Sequence, residues 1–260
     1  MAIKSIFFVA PAETAKADRG AGAYAISLAK AHGAQLTIFA VALDVTTPGH
    51  HADSAPLVAS LRSAAEQAGV SCSFITEHTH AIGVHDVVAE YGRVHDLTVI
   101  GSDGSGLLSE RILAEYLMFE SGRPLVLVPG NHVAPYGADV VAVAWDNTAA
   151  SARAMGDAIA LLSPERLTVV SIEGEKPLPT DLDQRGLTAA LERRGVKAEH
   201  RIAPLGNRPI AVALQEEALA GGASILAMGA YGHSRLRRFV LGSATADVLK
   251  NNRIPVLLSH

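Results

Sequence analysis

The sequence of 260 residues contains a single cysteine, Cys72. One cysteine excludes a fold held by intrachain disulfides and favours a reducing compartment such as the cytoplasm. We interpret Cys72 as a small buried hydrophobic residue in a strand. No run reaches the ~18 consecutive apolar residues of a membrane-spanning helix, and the apolar stretch at the start is too short for a signal peptide. We therefore expect a soluble, cytoplasmic protein with no membrane partner.

The chain also lacks an excess of positive charge and the common signatures of nucleotide-using enzymes. Its 22 Lys and Arg stand against 26 Asp and Glu, for a formal net charge of −4. Because its basic residues are scattered, a nucleic-acid partner is not expected. The Walker A loop is missing, and so is G-x-G-x-x-G after the first strand of either half. No local motif indicates a Ser-His-Asp or Cys-His nucleophile, so no catalytic residue is assigned.

What the sequence does contain is a regular alternation of strand and helix patterns. An apolar fraction of 49% is typical of α/β domains whose strands are buried on both faces. Such alternation implies right-handed crossovers and a parallel, doubly wound sheet with helices on both faces. In the first half, strands are predicted at 3–9, 35–43, 71–77, 97–100 and 124–128, with helices at 20–32, 54–69, 84–94 and 107–121. In the second half, strands are predicted at 140–145, 167–172, 197–202, 225–228 and 255–258, with helices at 149–162, 180–194, 210–220 and 243–251.

The two halves repeat each other. Residues 96–104 parallel 224–232, and residues 123–128 parallel 254–259. A period of about 130 residues far exceeds that of solenoid repeats and indicates a duplicated domain. Two prolines and two glycines between residues 129 and 138 interrupt any periodic pattern, which is typical of a linker. We therefore predict two tandem Rossmann-like α/β domains, 1–134 and 135–260.

A glycine-rich pattern follows the fourth strand of the second half. Gly229-Ala-Tyr-Gly232 is followed by nine residues and then by Gly242-Ser243-Ala-Thr245. Glycines at the end of a strand let backbone N–H groups approach a ligand. The helix predicted to begin at Ser243 offers unpaired N–H groups and a positive dipole end to anions. The spacing therefore delivers two clusters of donors to one site, which is the layout of a backbone cradle for phosphates.

The pattern Met228-Gly229-x-x-Gly232-x9-Gly242-Ser243 resembles the nucleotide-binding signature of the ATP-binding universal stress proteins. The resemblance extends over the whole chain as two copies. It implies five-stranded domains of order 3-2-1-4-5 that pair through their last strands, and ATP or ADP with Mg²⁺ as the ligand. The resemblance also assigns a ribose contact to Asp146 and an adenine contact to Ile172. It assigns the phosphate loop to Met228, Gly229, Tyr231, Gly232, Gly242, Ser243, Ala244 and Thr245. The family often has His at the position of Tyr231.

Each assignment has a structural alternative. Asp146 could serve as a helix N-cap or turn residue, and Ser243 could cap a helix. Gly229 and Gly232 could serve only a tight turn. Three arginines between the glycines either neutralise the phosphate tail or form a solvated basic loop: Arg235, Arg237 and Arg238.

The first half has lost parts of the motif. Gly101-Ser-Asp-Gly104 keeps the first two glycines, but Ala114-Glu115 stands where the motif needs Gly-Ser. Its first strand ends in residues 10–12, Ala-Pro-Ala, so the ribose aspartate is missing too. We therefore predict one nucleotide site per chain, with a structural or second-ligand role for the first half.

The first half also carries a group of histidines. Two of them, separated by one residue on a predicted strand, would point to one face at a spacing that suits a metal. A solvated surface is the alternative, and no metal site is assigned. The five residues are His50, His51, His78, His80 and His85.

The predicted function is that of a nucleotide-responsive regulatory protein in stress tolerance. Its ATP state would alter domain packing or the binding of an unidentified protein partner, and a homodimer is left open. Enzymatic alternatives are a slow ATPase or an adenylyl transferase that uses the same cradle. The Ser-Gly-Gly-x-Asp-Ser and His-x-Gly-His motifs of adenylating relatives are absent from residues 144–147 and 9–12. A scaffold that binds no nucleotide is the remaining alternative.

Overall fold

The chain divides into two α/β units between Tyr136 and Gly137. Its structure is a computed structural model that describes residues 2–11, 19–43, 55–79, 83–102, 110–174, 181–230 and 243–260. The first unit spans Ala2–Tyr136 and the second spans Gly137–His260.

The first unit is a parallel sheet of five strands in the order β3-β2-β1-β4-β5. Each strand is followed by a helix before the next strand begins, so the connections are crossovers of the kind that parallel pairing requires. Its strands are β1 Ser5–Pro11, β2 Gln35–Leu43, β3 Cys72–Thr79, β4 Leu97–Gly101 and β5 Leu125–Val128. Its helices are α1 Arg19–His32, α2 Ala55–Ala68, α3 Val84–Arg93 and α4 Glu110–Glu120.

The second unit repeats this topology, with the order β8-β7-β6-β9-β10 and parallel pairing throughout. Counted within each unit, both orders are 3-2-1-4-5, so the predicted Rossmann-like α/β fold is confirmed. Its strands are β6 Val140–Ala144, β7 Arg166–Glu173, β8 Lys197–Pro204, β9 Ile225–Gly229 and β10 Val256–Ser259. Its helices are α5 Ala149–Asp157, α6 Asp181–Arg193, α7 Ile210–Ala220 and α8 Ser243–Lys250.

One predicted α-helix is only partly α-helical. The helix predicted at 149–162 is α-helical only over Ala149–Asp157 and continues as a π-helix over Ala158–Leu162. The segment ends at Ser163, whose φ of 49° is left-handed. Hydrophobic periodicity could not reveal the change, because a single π turn alters the hydrogen-bonding step while the same side of the helix stays buried.

Helices cover both faces of the second sheet. Thr168 and Leu226 pair with the same residue of β6, so their side chains point to one face. On that face Thr168 contacts Gly221, which follows α7. Gly229 lies three residues beyond Leu226 and therefore points to the other face, where it contacts Ala150 of α5. All residues of β10 are buried, whereas most residues of β8, at the end of the strand order, are exposed.

The segment that follows β5 packs along α1. The Tyr136 backbone N–H donates to Ser27 Oγ at 2.8 Å, and the Tyr136 hydroxyl lies 3.0 Å from His32 Nε2. Further along α1, the rings of Tyr24 and His132 meet edge to face with centroids 5.5 Å apart. The predicted linker is therefore bound to the first unit up to Tyr136.

Cys72 is the first residue of β3, so its predicted place in a strand is confirmed, although it is only half-buried. Burial raises the pKa of its thiol to about 11, and the charge of Arg62 opposes the shift. The thiol is therefore protonated near neutral pH, which disfavours reactivity. Within the described ranges no helix has the length and apolarity needed to cross a membrane.

A partly buried carboxylate joins β1 to β4 at their amino ends. Asp96 Oδ2 accepts hydrogen bonds from the backbone N–H groups of Lys4 and Ser5 at 2.8 and 3.0 Å, and from Ser5 Oγ at 3.2 Å. Burial alone would raise the pKa of Asp96. These hydrogen bonds, together with the charge of Arg123, outweigh burial and hold the pKa below its ordinary value of 3.8.

This carboxylate should make stability depend on pH. The folded protein binds the Asp96 proton less readily than the unfolded chain does, so the stabilisation is complete above about pH 4 and is lost as the pH falls through the folded pKa. We expect Asp96→Asn to lower the free energy of unfolding by about 1 kcal/mol at neutral pH. Urea unfolding of both proteins should show this gap closing in acid. A gap of constant size from neutral pH to about pH 3 would contradict the assignment.

Candidate functional site

The strand order of the second unit reverses at β6. From β6 the chain proceeds to β7 and β8 on one side, and it then returns to β9 and β10 on the other. Val143 of β6 pairs with Val169 of β7 and with Ala227 of β9. In sheets of this kind the carboxyl ends of the strands on either side of the reversal form the crevice in which ligands bind. The candidate site is therefore the end of β6, β7 and β9.

Asp146 and Ile172 lie at the carboxyl ends of two neighbouring strands, β6 and β7. Ala144 pairs with Val170 in the register of β6 and β7. Asp146 lies two residues beyond Ala144, after the end of β6, and Ile172 lies two residues beyond Val170, near the end of β7. Ile172 is buried, with 7% of its surface exposed, whereas Asp146 is half-exposed. At such an edge the carboxylate can accept hydrogen bonds from the hydroxyl groups of a ligand, and the apolar side chain of Ile172 can pack against a ring of the same ligand.

The Asp146 carboxylate is held in a turn before α5. Its Oδ1 accepts hydrogen bonds from the Thr148 hydroxyl at 2.6 Å and from the Thr148 N–H at 3.2 Å. Thr148 is the N-cap of α5, since its hydroxyl accepts from the Ser151 N–H. Between them Asn147 has a φ of 60°, a conformation that asparagine tolerates. Of the two structural alternatives for Asp146, the turn is correct and the N-cap is wrong.

Gly229 is required by packing. A Cβ atom placed on Gly229 would lie 2.6 Å from the Ala150 carbonyl oxygen and 2.7 Å from the Ala150 Cβ atom. Gly229 is not among the described glycines of positive φ, so a tight turn does not account for it. The end of β9 therefore passes directly against the first turn of α5, on the residue that follows Met228, which is itself buried.

A buried polar chain lies behind this edge, and sequence reasoning missed it. Ser171 is 1% exposed, and its hydroxyl donates to the Trp145 carbonyl at 2.8 Å. His200 Nε2 lies 3.1 Å from the same Ser171 oxygen. Burial lowers the pKa of His200. The only sequence signal was a serine inside an otherwise apolar strand end, immediately before Ile172.

The phosphate loop is described only in part. Ser243 is the first residue of α8, Ala244 is half-exposed, and Thr245 is buried with 3% of its surface exposed. Asp146 follows β6, Ile172 lies near the end of β7 and Gly229 ends β9, so these three candidates lie at one edge of the sheet, whereas Ser243, Ala244 and Thr245 lie in α8. The rest of the motif and its arginines lie outside the described residues: Tyr231, Gly232, Gly242, Arg235, Arg237 and Arg238.

In the first unit the residues that replace the motif belong to an ordinary helix. Gly101 ends β4, Ala114 is fully buried in α4, and Gly104 lies outside the described residues. Glu115 forms an ion pair with Arg111 one turn earlier in α4, at 3.3 Å.

Within the described residues, the histidines of the first half do not form a cluster. His85 lies in the first turn of α3, where its ring centroid is 5.6 Å from that of Tyr116, and burial lowers its pKa against the charge of Asp86. His78 lies on β3. The described residues include no group of three or more side chains suited to a metal. The remaining members lie outside the description: His50, His51 and His80.

The sequence of the chain is similar to those of known proteins. The model of the universal stress protein family matches residues 137–260. A universal stress protein of Synechocystis sp. is 43% identical over 67 residues, which are 26% of this chain and 22% of that protein. The chain therefore spans about a fifth of the length of that curated relative.

Solved structures share the fold over nearly the whole chain. A universal stress protein of Archaeoglobus fulgidus has a TM-score of 0.68 at 15% identity, covering 97% of this chain and 95% of its own. A putative universal stress protein of Pseudomonas aeruginosa has a TM-score of 0.62 at 14% identity, covering 99% of this chain and 93% of its own. At such identities the likeness establishes that the fold is shared.

Proposed function

Because residues 137–260 belong to the universal stress protein family, we propose that the second unit binds ATP or ADP with Mg²⁺. In the cytoplasm, nucleotide binding would regulate the association of the protein with a protein partner, or with a second copy of itself, during stress. The observation that carries the proposal is that Asp146, Ile172 and Gly229 lie at the carboxyl ends of the three adjacent strands at the strand-order reversal. This is the place where doubly wound sheets bind nucleotides.

The residues of this edge fit a nucleoside. Asp146 offers a carboxylate whose direction is fixed by Thr148, and two ribose hydroxyls are suitable donors to it. Ile172 offers apolar surface to a base. The backbone N–H groups of the loop after Gly229 and the first turn of α8 at Ser243 would take the phosphates, where the helix dipole favours negative charge. When bound, Mg²⁺ would supply positive charge to the phosphate oxygens.

The hydrogen bonds of Ser171 favour nucleotide binding without rapid catalysis. A serine 3.1 Å from a histidine suggests an activated nucleophile. However, the Ser171 hydroxyl donates its proton to the Trp145 carbonyl, so His200 is not placed to remove it. Ser171 is also almost completely buried. Turnover of ATP well above roughly 0.1 per second would favour the enzymatic alternative, since typical enzymes reach about 1 to 1000 per second.

Two variants of Asp146 test the proposal. Asp146→Asn keeps an oxygen that can accept from Thr148 but removes the charge that would receive the ribose hydroxyls. We expect it to weaken Mg-ATP binding about tenfold, since hydrogen bonds to charged groups contribute about 1.5–3 kcal/mol. Asp146→Ala also removes the turn, so it should weaken binding at least as much and lower the free energy of unfolding by about 1 kcal/mol. Titration calorimetry measures the affinities.

A matched control lies on the same helix. Asp157 is the last residue of α5, at the end opposite to the site. Asp157→Asn makes the same chemical change and should leave the affinity for Mg-ATP unaltered. Wild-type affinity in both Asp146 variants would contradict the proposed ribose contact.

A further inference from the structure

We propose that His200 is a positioning residue of the nucleotide site. It acts through Ser171 on the Trp145 carbonyl and so determines the direction in which the chain leaves the sheet before Asp146. The inference rests on the proposed function, and it adds two residues to the site that the phosphate-loop motif does not contain.

The hydrogen bonds of Ser171 assign the proton on His200. Ser171 Oγ lies 2.8 Å from the Trp145 carbonyl oxygen, which can only accept, so the single hydroxyl proton points there. The His200 Nε2 atom, 3.1 Å away, must then donate to the Ser171 oxygen. His200 is therefore the tautomer that carries its proton on Nε2, and the bonds run in one direction, from His200 to Ser171 to Trp145.

Trp145 is the point at which the chain leaves the sheet. Its N–H still donates to the Val170 carbonyl of β7 at 2.8 Å, as a strand residue would. Its carbonyl accepts from the Ser171 side chain. The peptide plane that joins Trp145 to Asp146 is thus held by a side chain of β7, which is in turn held by a side chain of β8.

Asp146 is consequently fixed from both sides. Ser171 orients the peptide that precedes it, and Thr148 holds its carboxylate from the residues that follow. Ser171 and Ile172 are consecutive, so the residue that orients the ribose contact adjoins the residue assigned to the base. Removing Ser171 should free this peptide, and removing His200 should let the Ser171 hydroxyl turn away from Trp145, while the Asp146 carboxylate itself stays in the sequence.

The test compares two replacements of His200. The amide nitrogen of glutamine reaches about as far as histidine Nε2, whereas that of asparagine reaches only about as far as Nδ1. We expect Ser171→Ala and His200→Asn to weaken Mg-ATP binding about five- to tenfold. His200→Gln should bind within about twofold of the wild type, because it retains the donor. A merely structural loss would affect both replacements of this half-buried residue alike.

Fluorescence gives a second reading that needs no nucleotide. Trp145 is the only tryptophan of the chain. Its emission should change in Ser171→Ala and His200→Asn and should remain that of the wild type in His200→Gln. Ser121→Ala is the control for loss of a buried serine, because Ser121 donates to the Leu117 carbonyl at 2.6 Å in the first unit. This variant should change neither the affinity nor the emission.

The outcomes separate the two proposals. If the wild type binds Mg-ATP and His200→Asn and Ser171→Ala bind equally well, the positioning role is overturned and the proposed function stands. If His200→Gln is as weak as His200→Asn, the hydrogen bond is not what His200 contributes, and the positioning role is again overturned. If the wild type binds no Mg-ATP, the proposed function is overturned and the positioning role falls with it.

Discussion

Replacing Gly229 by alanine is expected to lower the free energy of unfolding of the second unit by about 3 kcal/mol. The added Cβ atom would stand 2.6 Å from the Ala150 carbonyl oxygen and would overlap its carbonyl carbon. These are backbone atoms of a helix whose start is fixed by the Thr148 cap, so they cannot move aside as the end of a flexible side chain would. Urea unfolding followed by Trp145 fluorescence measures the loss.

The same substitution elsewhere in the unit provides the control. Gly186 lies inside α6, and a Cβ atom on it would have no neighbour within 4 Å. Gly186→Ala should raise the free energy of unfolding by about 0.5–1 kcal/mol, because glycine is a poorer helix residue than alanine. If Gly229→Ala were as stable as Gly186→Ala, β9 would not approach α5 as described.

Gly232→Glu is expected to reduce the affinity for Mg-ATP more than about 100-fold. The motif assigns Gly232 to the loop that cradles the phosphates, and a glutamate there would bring a carboxylate against them. Juxtaposed like charges cost several kcal/mol. Equilibrium dialysis with labelled Mg-ATP measures the change, and an affinity close to that of the wild type would contradict the assignment of the loop.

The copy of the motif in the first half provides a matched control for Gly232→Glu. Gly104 is the counterpart of Gly232 in the first half. Because Ala114 and Glu115 stand where that copy needs Gly-Ser, the first half is predicted to bind no nucleotide. Gly104→Glu should therefore leave the affinity unchanged. A large loss of affinity in Gly104→Glu would mean that the first half contributes to binding.

The fold could be predicted from sequence because its signals are local. Strand 35–43 and helix 210–220 were predicted with the bounds that the structure has. Most other bounds moved by one to three residues, as for the first strand, predicted at 3–9 and found at Ser5–Pro11. The π turn after Asp157 was missed, since nothing in the spacing of apolar residues distinguishes it from an α turn.

The candidate site was predictable to the extent that it follows from strand order. Asp146 follows β6 and Ile172 lies near the end of β7, and parallel strands present their carboxyl ends at one edge, so their placement at this edge could be anticipated. The contact of Gly229 with Ala150 could not, because the same glycine suits a turn, a cradle or a close approach. Ser171 and His200 were missed because their hydrogen bond depends on the register between two strands separated by a helix.

The most direct test of the central claim is to count the Mg-ATP sites on the full-length chain by titration calorimetry, in the wild type and in Gly232→Glu. The account predicts about one site per chain in the wild type and none in the variant. No binding by the wild type, two sites per chain, or a site that survives Gly232→Glu would contradict a nucleotide site in the second unit alone.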